Sequence, residues 1–331
     1  MVGNILSVVL WCAAVDFRTF LLSRVVGGLS EGNVQLATAI AADISTEEQR
    51  ASTMAMVGAC FSIAFTFGPA LGAYLASITI VAANPFATAA GFSLLLILTE
   101  TVYLYFCLPE TRPMSPRVTN KSSVESDGTK SRNSERRPRV HTNHPTLLNT
   151  IHFLFLLPFS GMEFSLPFLI TSVIYPDHSS PSKLNGRLLG FVGLIASILQ
   201  GSIVRRLPPL LIVRTGAIAC TAAFFLLARV HDTVTLYTAG ALLAITSATV
   251  VTGLNALGSF EADEDNTGRV LGALRSSGQL GRAMGPIVFC SIFWWLGREL
   301  AYMLGGICMI GTTTLIFTTL RSPPISKNTK R

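Results

Sequence analysis

Hydrophobic positions in this chain come in long unbroken blocks, not at the three-to-four-residue spacing of a soluble amphipathic helix. Ten blocks stand out, at 2–17, 19–43, 52–76, 86–108, 147–174, 187–204, 210–229, 234–257, 269–296 and 300–320. Most reach the roughly 18–20 apolar residues that a helix needs to cross a bilayer core. The pattern predicts an all-α polytopic membrane protein with ten spans. One polar interruption is far longer than the rest. Residues 109–146 are rich in Ser, Pro and charge and divide four spans from six. So few aliphatics cannot offset the entropy of ordering, which predicts a disordered linker. The expected organisation is a four-span bundle at 1–108, the linker at 109–146, a six-span bundle at 147–320 and a short tail at 321–331.

Composition agrees with the blocks. Half of the residues are hydrophobic and 13% are charged, where a soluble domain carries about 25%. The net charge of +7 is concentrated: the linker holds eight Lys/Arg against four acids, and the tail four against none, which leaves the remainder at −1. Basic charge gathered beside apolar spans is a topology signal, not a nucleic-acid surface. It predicts a cytoplasmic linker and tail, with Arg50, Arg205, Arg206 and Arg269 on the same side, and Trp294 and Trp295 near the opposite interface. The sequon Asn120-Lys121-Ser122 in the linker is then expected to stay unglycosylated. The six cysteines lie in or beside apolar blocks without a CxxC pair, so they read as packed thiols; no metal or cofactor set is evident.

Charges inside the blocks carry the candidate chemistry. Glu31, Glu100 and Glu163 fall within spans, as do Arg24, Arg275 and Arg282. Such groups are costly in lipid and face the bundle interior or water. Arg24 and Glu31 are seven apart, which places them on one face of a continuous helix. Arg275, Gln279 and Arg282 form a second polar stripe by the same spacing. Glu163 sits near Pro158 and Pro167, where a helix is easily broken. Two readings stand beside each other: a transport path for a substrate and protons, or buried structural ion pairs, the second preferred for Glu100. His152 has no acidic neighbour in sequence and reads as a satisfied span residue.

Small residues recur at i, i+4: Gly28/Gly32, Gly68/Gly72, Gly186/Gly190, Gly268/Gly272 and Gly281/Gly285. Close helix packing is the expectation for all of them. Pro69 and Pro286 are candidate kinks or hinges. "GLSEG" at 28–32 matches the hydrolase pattern G-x-S-x-G, but no strand precedes it, so it is set aside as chance. The two sides of the linker echo one another: "AADISTEEQR" is paired with "EADEDNTGR", and "GPALGA" with "GRAMGP". Internal symmetry of this kind is typical of transporters built from repeats.

"RVVGGLSEG", "ADISTEEQR" and "GPALGA" together resemble the fourth and fifth spans of the major facilitator superfamily, with its drug:proton antiporter and tetracycline-transporter-like branch looking nearest. "LPET" at 108–111 and "FSGMEF" resemble the close of the sixth span and the opening of the seventh. The antiporter motif departs at Ala64 and Ala73, where the family has Gly. The family has twelve spans, so the resemblance implies that the first two are absent ahead of Met1 and that this chain transports poorly as it stands. It further implies two opposed bundles with a midplane site. Arg24 takes the basic position of the fourth span, Gly68, Pro69, Gly72, Gly285 and Pro286 act as the motif and hinge, and Asp43 with Arg50, echoed by Asp263 with Arg269, forms a cytoplasmic bracket.

The resulting expectation is a secondary transporter of a small organic molecule, anionic or amphiphilic given the arginines, exchanging it for protons by alternating access. Two alternatives stay open: a uniporter or sugar-type facilitator, and a non-transporting scaffold or receptor. No feature supports an enzyme, a cofactor or a nucleic-acid partner.

Overall fold

The structure, a computed structural model, describes residues 1–46, 49–76, 78, 84, 86–108, 142–173, 181–262 and 266–323. Linker residues 109–141 and Asp263 lie outside the described residues, as do the side chains of Arg50 and Pro69. The N-terminal half contains α1 (Val2–Cys12), α2 (Phe17–Ser30), α3 (Asn33–Ile44), α4 (Arg50–Ala76) and α5 (Ala87–Cys107). The C-terminal half contains α6 (Pro145–Val173), α7 (Pro181–Ser202), α8 (Pro209–Ala228), α9 (Thr233–Phe260), α10 (Thr267–Leu296) and α11 (Arg298–Thr319).

Among the described residues six helices are long and apolar enough to cross a membrane: α5, α6, α7 with the turn after it, α8, α9 and α11. The other four expected blocks behave differently. The first is an 11-residue helix, and the second is divided into α2 and α3. The described apolar stretch of α4 is Ser52–Phe61, and α10 carries three arginines within its 30 residues.

The division of the second block falls at Glu31. Helix α2 ends at Ser30, Glu31 takes φ −79°, ψ 85°, and Gly32 caps the start of α3. Gly32 favours a helix end over a helix interior here, since Gly loses the most entropy in a helix. A hydropathy average over twenty residues passes over such a dipeptide. Conversely, α6 runs unbroken through Pro158 and Pro167, where a break was expected.

The core lies in the C-terminal half, around Phe155, Phe224, Phe289 and Tyr302. Within it α6 and α10 approach most closely. A Cβ on Gly281 would sit 2.6 Å from the Phe153 carbonyl oxygen, and one on Gly285 would overlap the Leu157 carbonyl. The buried positions of α10 from Leu271 through Leu274, Gly278, Gly281 and Gly285 to Phe289 follow helical spacing; Gly278, Gly281 and Gly285 face α6, while Leu271 and Leu274 reach Gly258 of α9. Of the five small-residue pairs, Gly281/Gly285 packs as expected. Among the described residues, Gly28, Gly32, Gly68, Gly72, Gly186, Gly190, Gly268 and Gly272 have nothing within 4 Å of a built Cβ.

Three helix ends of the C-terminal half gather beside the point where the linker enters α6. Glu261, after α9, is buried and accepts hydrogen bonds from the backbone N–H of Thr142 (2.9 Å) and of Asn143 (2.7 Å). Asn143 in turn donates to the Arg321 carbonyl and accepts from the Arg321 N–H. The entry to α6, the exit of α9 and the exit of α11 are thereby tied together. A cavity of about 720 Å³ beside this knot is lined by Asn143, Glu261 and Arg269 among others.

Candidate transport site and seam

The two halves meet at the linker end. Ala41 and Ala42, in the last turns of α3, and Met54 in the first turn of α4 belong to the C-terminal core. Ala55 joins Ala196, Val204 and Ala248 of the other half. Gly58 is the closest point: a Cβ there would lie 2.7 Å from Gln200 Nε2 and 2.7 Å from Thr252 Oγ1. Gln200 is buried and donates to the Ala248 carbonyl and to Thr252 Oγ1. Ten residues further along α4, roughly 15 Å by helical rise, Gly68 faces open space. The seam is closed at the linker end.

The polar stripe belongs to α10, the helix that meets α3 of the other half. Arg275, Gln279 and Arg282 each follow a buried position by one residue, which sets them on the flank of the ridge that packs on α6. Arg282 Nη2 meets Glu163 Oε2 at 2.9 Å. Ser160, one turn before Glu163 on α6, donates to the Arg282 carbonyl at 3.2 Å. The pair is therefore fixed from both its side chains and its backbone, yet its members remain 40% and 34% exposed. Across the seam, Glu31 acts electrostatically on Arg275, as does Arg282. Two arginines of α10 are thus met by carboxylates: Arg282 by Glu163 in a direct ion pair, and Arg275 by the longer-range influence of Glu31 from the other half. Gln279, between the arginines, is exposed.

Arg24 is not among these charges. Because the helix ends before Glu31, the seven-residue spacing does not align the two. The Arg24 guanidinium lies 4.8 Å from the centre of the Trp11 ring and 5.4 Å from that of Phe20, with Nε donating to Ser23 Oγ. Glu100 is exposed on α5. The bracket is seen only in part. Asp43, in the last turn of α3, and Arg269, in the first turn of α10, are both exposed; their counterparts Arg50 and Asp263 lie outside the described side chains. Pro286 sits within continuous α10, and Pro69 falls within α4.

Three features were not picked out in sequence. The Gln200–Thr252–Gly58 contact carries no signature beyond one Gln in an apolar helix. Ser160 would have been found by asking which hydroxyl lies a turn from Glu163. The third is a repeat of caps: Asp16 accepts from the Thr19 N–H (2.9 Å) at the start of α2, and Asp232 accepts from Thr235 at the start of α9. The shared D-x-x-T was legible from capping rules. Its hydrogen bonds hold both carboxyls below the usual Asp range.

A bundle of apolar helices in two halves, with a half-exposed ion pair between α6 and α10, defines a multi-pass membrane protein of the transporter class. The chain belongs to the Major Facilitator Superfamily, matching it over residues 1–286; it is a transporter and not an enzyme. It is 33% identical to mouse "Major facilitator superfamily domain-containing protein 10" over 318 residues, 91% of this chain and 67% of that protein. The human protein of the same name is 29% identical over 323 residues, with the same coverage. Among solved structures, the human organic anion transporter MFSD10 (TETRAN) superposes with a TM-score of 0.79 at 28% identity, covering 95% of this chain and 75% of that one. The transporter FucP in its outward conformation superposes with a TM-score of 0.59 at 13% identity, covering 97% of this chain and 83% of the other, a likeness of fold alone.

Proposed function

We propose that the chain carries a small organic anion across the membrane by alternating access, coupled to protons. The observation that supports this best is the half-exposed Glu163–Arg282 pair between α6 and α10, two turns from Arg275 on the same helix face. A guanidinium held by a carboxylate in a water-accessible cleft is a ready exchange site. An anionic substrate offers Arg282 an acceptor of the same kind as the Glu163 carboxylate. The likeness to a human organic anion transporter supports the same substrate class. Amphiphilic anions fit best, because the surrounding helix faces are apolar.

Protons enter through the carboxylates. In the present conformation, where α3 meets α10, Glu31 acts electrostatically on Arg275. When α3 swings away from α10, Glu31 loses its cation and Arg275 is freed. The antiporter-like motif of α4 supports proton-for-substrate exchange in the direction of efflux. A second reading has its own support in the ion pair: a proton on Glu163 frees Arg282 for an anion, so proton and anion would move together. Proteoliposomes loaded with radiolabelled phenylacetate separate these. Exchange predicts faster efflux when the outside is acid; comigration predicts faster efflux when the inside is acid. A flux that ignores the pH gradient would leave a facilitator, and no flux from the full-length protein would reject transport of this substrate class.

A further inference from the structure

His152 is buried, at 2% exposure, on α6 about two turns from its linker-side end. Its ring fills the notch left by Gly278: a Cβ there would lie 2.7 Å from Nδ1 and from Nε2. Nδ1 lies 2.8 Å from the Leu274 carbonyl oxygen. A carbonyl only accepts, so Nδ1 carries the proton and donates it, and the lone pair is on Nε2. Nε2 is buried without a hydrogen-bond partner among the described residues. This lone pair is an anomaly, because buried polar atoms are normally satisfied.

The position of the ring matters more than its burial. Leu274 directly precedes Arg275, and Gly278 directly precedes Gln279. His152 therefore seats the turn of α10 between the arginine that faces Glu31 and the arginine that holds Glu163. Arg275 and Arg282 are the charges that act on the ring. Glu163, about three turns along the same helix, is engaged by Arg282. The other helices packed on α6 keep their described charges near their ends: Arg187 on α7, Asp232 and Glu261 flanking α9, and Arg298 and Glu299 opening α11.

We propose that His152 is a proton-sensitive positioning residue: its neutral Nδ1–H form seats α10 on α6 in the present conformation, and a second proton, on Nε2, unseats it. That proton would be a buried donor with no acceptor, on a ring flanked by two guanidinium groups. Neither can be tolerated without movement. A shift of α10 that brings water or a carbonyl to Nε2 relieves both. Because α10 also makes the seam contact with α3, unseating it alters how the halves meet. The consequence for flux rests on the proposed function; the seating does not.

The test is hydrogen–deuterium exchange of α3 and α10 in the full-length protein, between about pH 7.5 and about pH 5.5, a range that spans ordinary histidine titration. Each rate is normalised to the unstructured peptide at that pH. His152→Asn retains an N–H that reaches Leu274 but cannot titrate. The wild type should exchange at least about threefold faster at the acid end, since an unseated ring with an ordinary histidine titration goes from about a tenth to about nine-tenths protonated over this range, and His152→Asn should stay flat. His152→Gln serves as the second non-titrating variant if the first does not fold. Superimposable wild-type and variant profiles would overturn the proposal. An acid-dependent seam in a protein that moves no phenylacetate would spare it and reject the transport reading instead.

Discussion

Arg282 and Glu163 meet at 2.9 Å across α10 and α6, 119 residues apart in sequence, and neither side chain is buried. An ion pair this exposed contributes about 1 kcal/mol or less to stability. It is not what holds the two helices together, because Gly161, Gly281 and Gly285 already bring their backbones into contact. The pair is better suited to being opened than to being kept. Glu163→Gln should therefore lower stability by no more than about 1 kcal/mol, while removing the pH-gradient dependence of flux. Thermal unfolding and proteoliposome flux of the same preparation check both halves of that statement.

Bulk at Gly58 should block closure of the linker-side seam without unfolding either half. Gly58→Leu places a side chain where Gln200 and Thr252 sit within 2.7 Å of a Cβ, and overpacking of this kind costs about 1–3 kcal/mol. That cost falls only on the closed state. A shift of about 2 kcal/mol is roughly a thirtyfold change in population, so transport should drop by an order of magnitude or more. Unchanged flux would show that the seam does not need to close at this point.

Glycines that look alike in sequence should respond differently. Gly285→Val pushes into the Leu157 carbonyl and Ser160 and should cost at least about 1–3 kcal/mol. Gly72→Ala meets nothing within 4 Å and should leave stability unchanged or slightly raised. Melting temperatures of the two variants test the contrast.

The knot at the linker end predicts a dependence on one carboxylate. Glu261 accepts hydrogen bonds from Thr142 and Asn143, and Asn143 ties Arg321. Glu261→Ala leaves these N–H groups unmet and should destabilise by about 1.5–3 kcal/mol for hydrogen bonds to a charged group. Proteolysis should then begin near 142–146 at lower temperature. The expected cytoplasmic side of this end is checked separately by Asn120, which should carry no glycan.

Asp16 and Asp232 give a pH prediction with a fixed sign. Hydrogen bonds from Thr19 and Thr235 hold both carboxyls below the ordinary Asp range. A depressed folded-state value adds stability above the unfolded value, and that stability is lost as pH falls through the folded one. Fraying of α2 and α9 should therefore increase below about pH 4, near the unfolded Asp value. In Asp16→Asn and Asp232→Asn, whose caps do not titrate, it should not.

The all-helical membrane class was legible because apolar length is a local property. So was the Arg275–Gln279–Arg282 stripe, since spacing alone fixes a helix face. The partners of that stripe were not legible. Glu163 reaches Arg282 and Glu31 acts on Arg275 only through packing between distant helices, which no local pattern encodes. The pairing of Arg24 with Glu31 misled because it assumed one continuous helix, and the Glu31-Gly32 dipeptide ends it. The repeated i, i+4 glycines were ambiguous for a related reason: the pattern permits close approach, but only a facing backbone such as that of Phe153 and Leu157 realises it.

The central claim is that arginines of α10, balanced by carboxylates from both halves, form a proton-linked anion site. Its most direct test is phenylacetate flux under an imposed pH gradient in proteoliposomes of the full-length protein, comparing wild type with Glu31→Gln. Glutamine keeps shape and hydrogen bonding but cannot ionise. The account predicts that the variant loses gradient-driven accumulation while still exchanging labelled for unlabelled phenylacetate. Full gradient-driven accumulation by Glu31→Gln would contradict it.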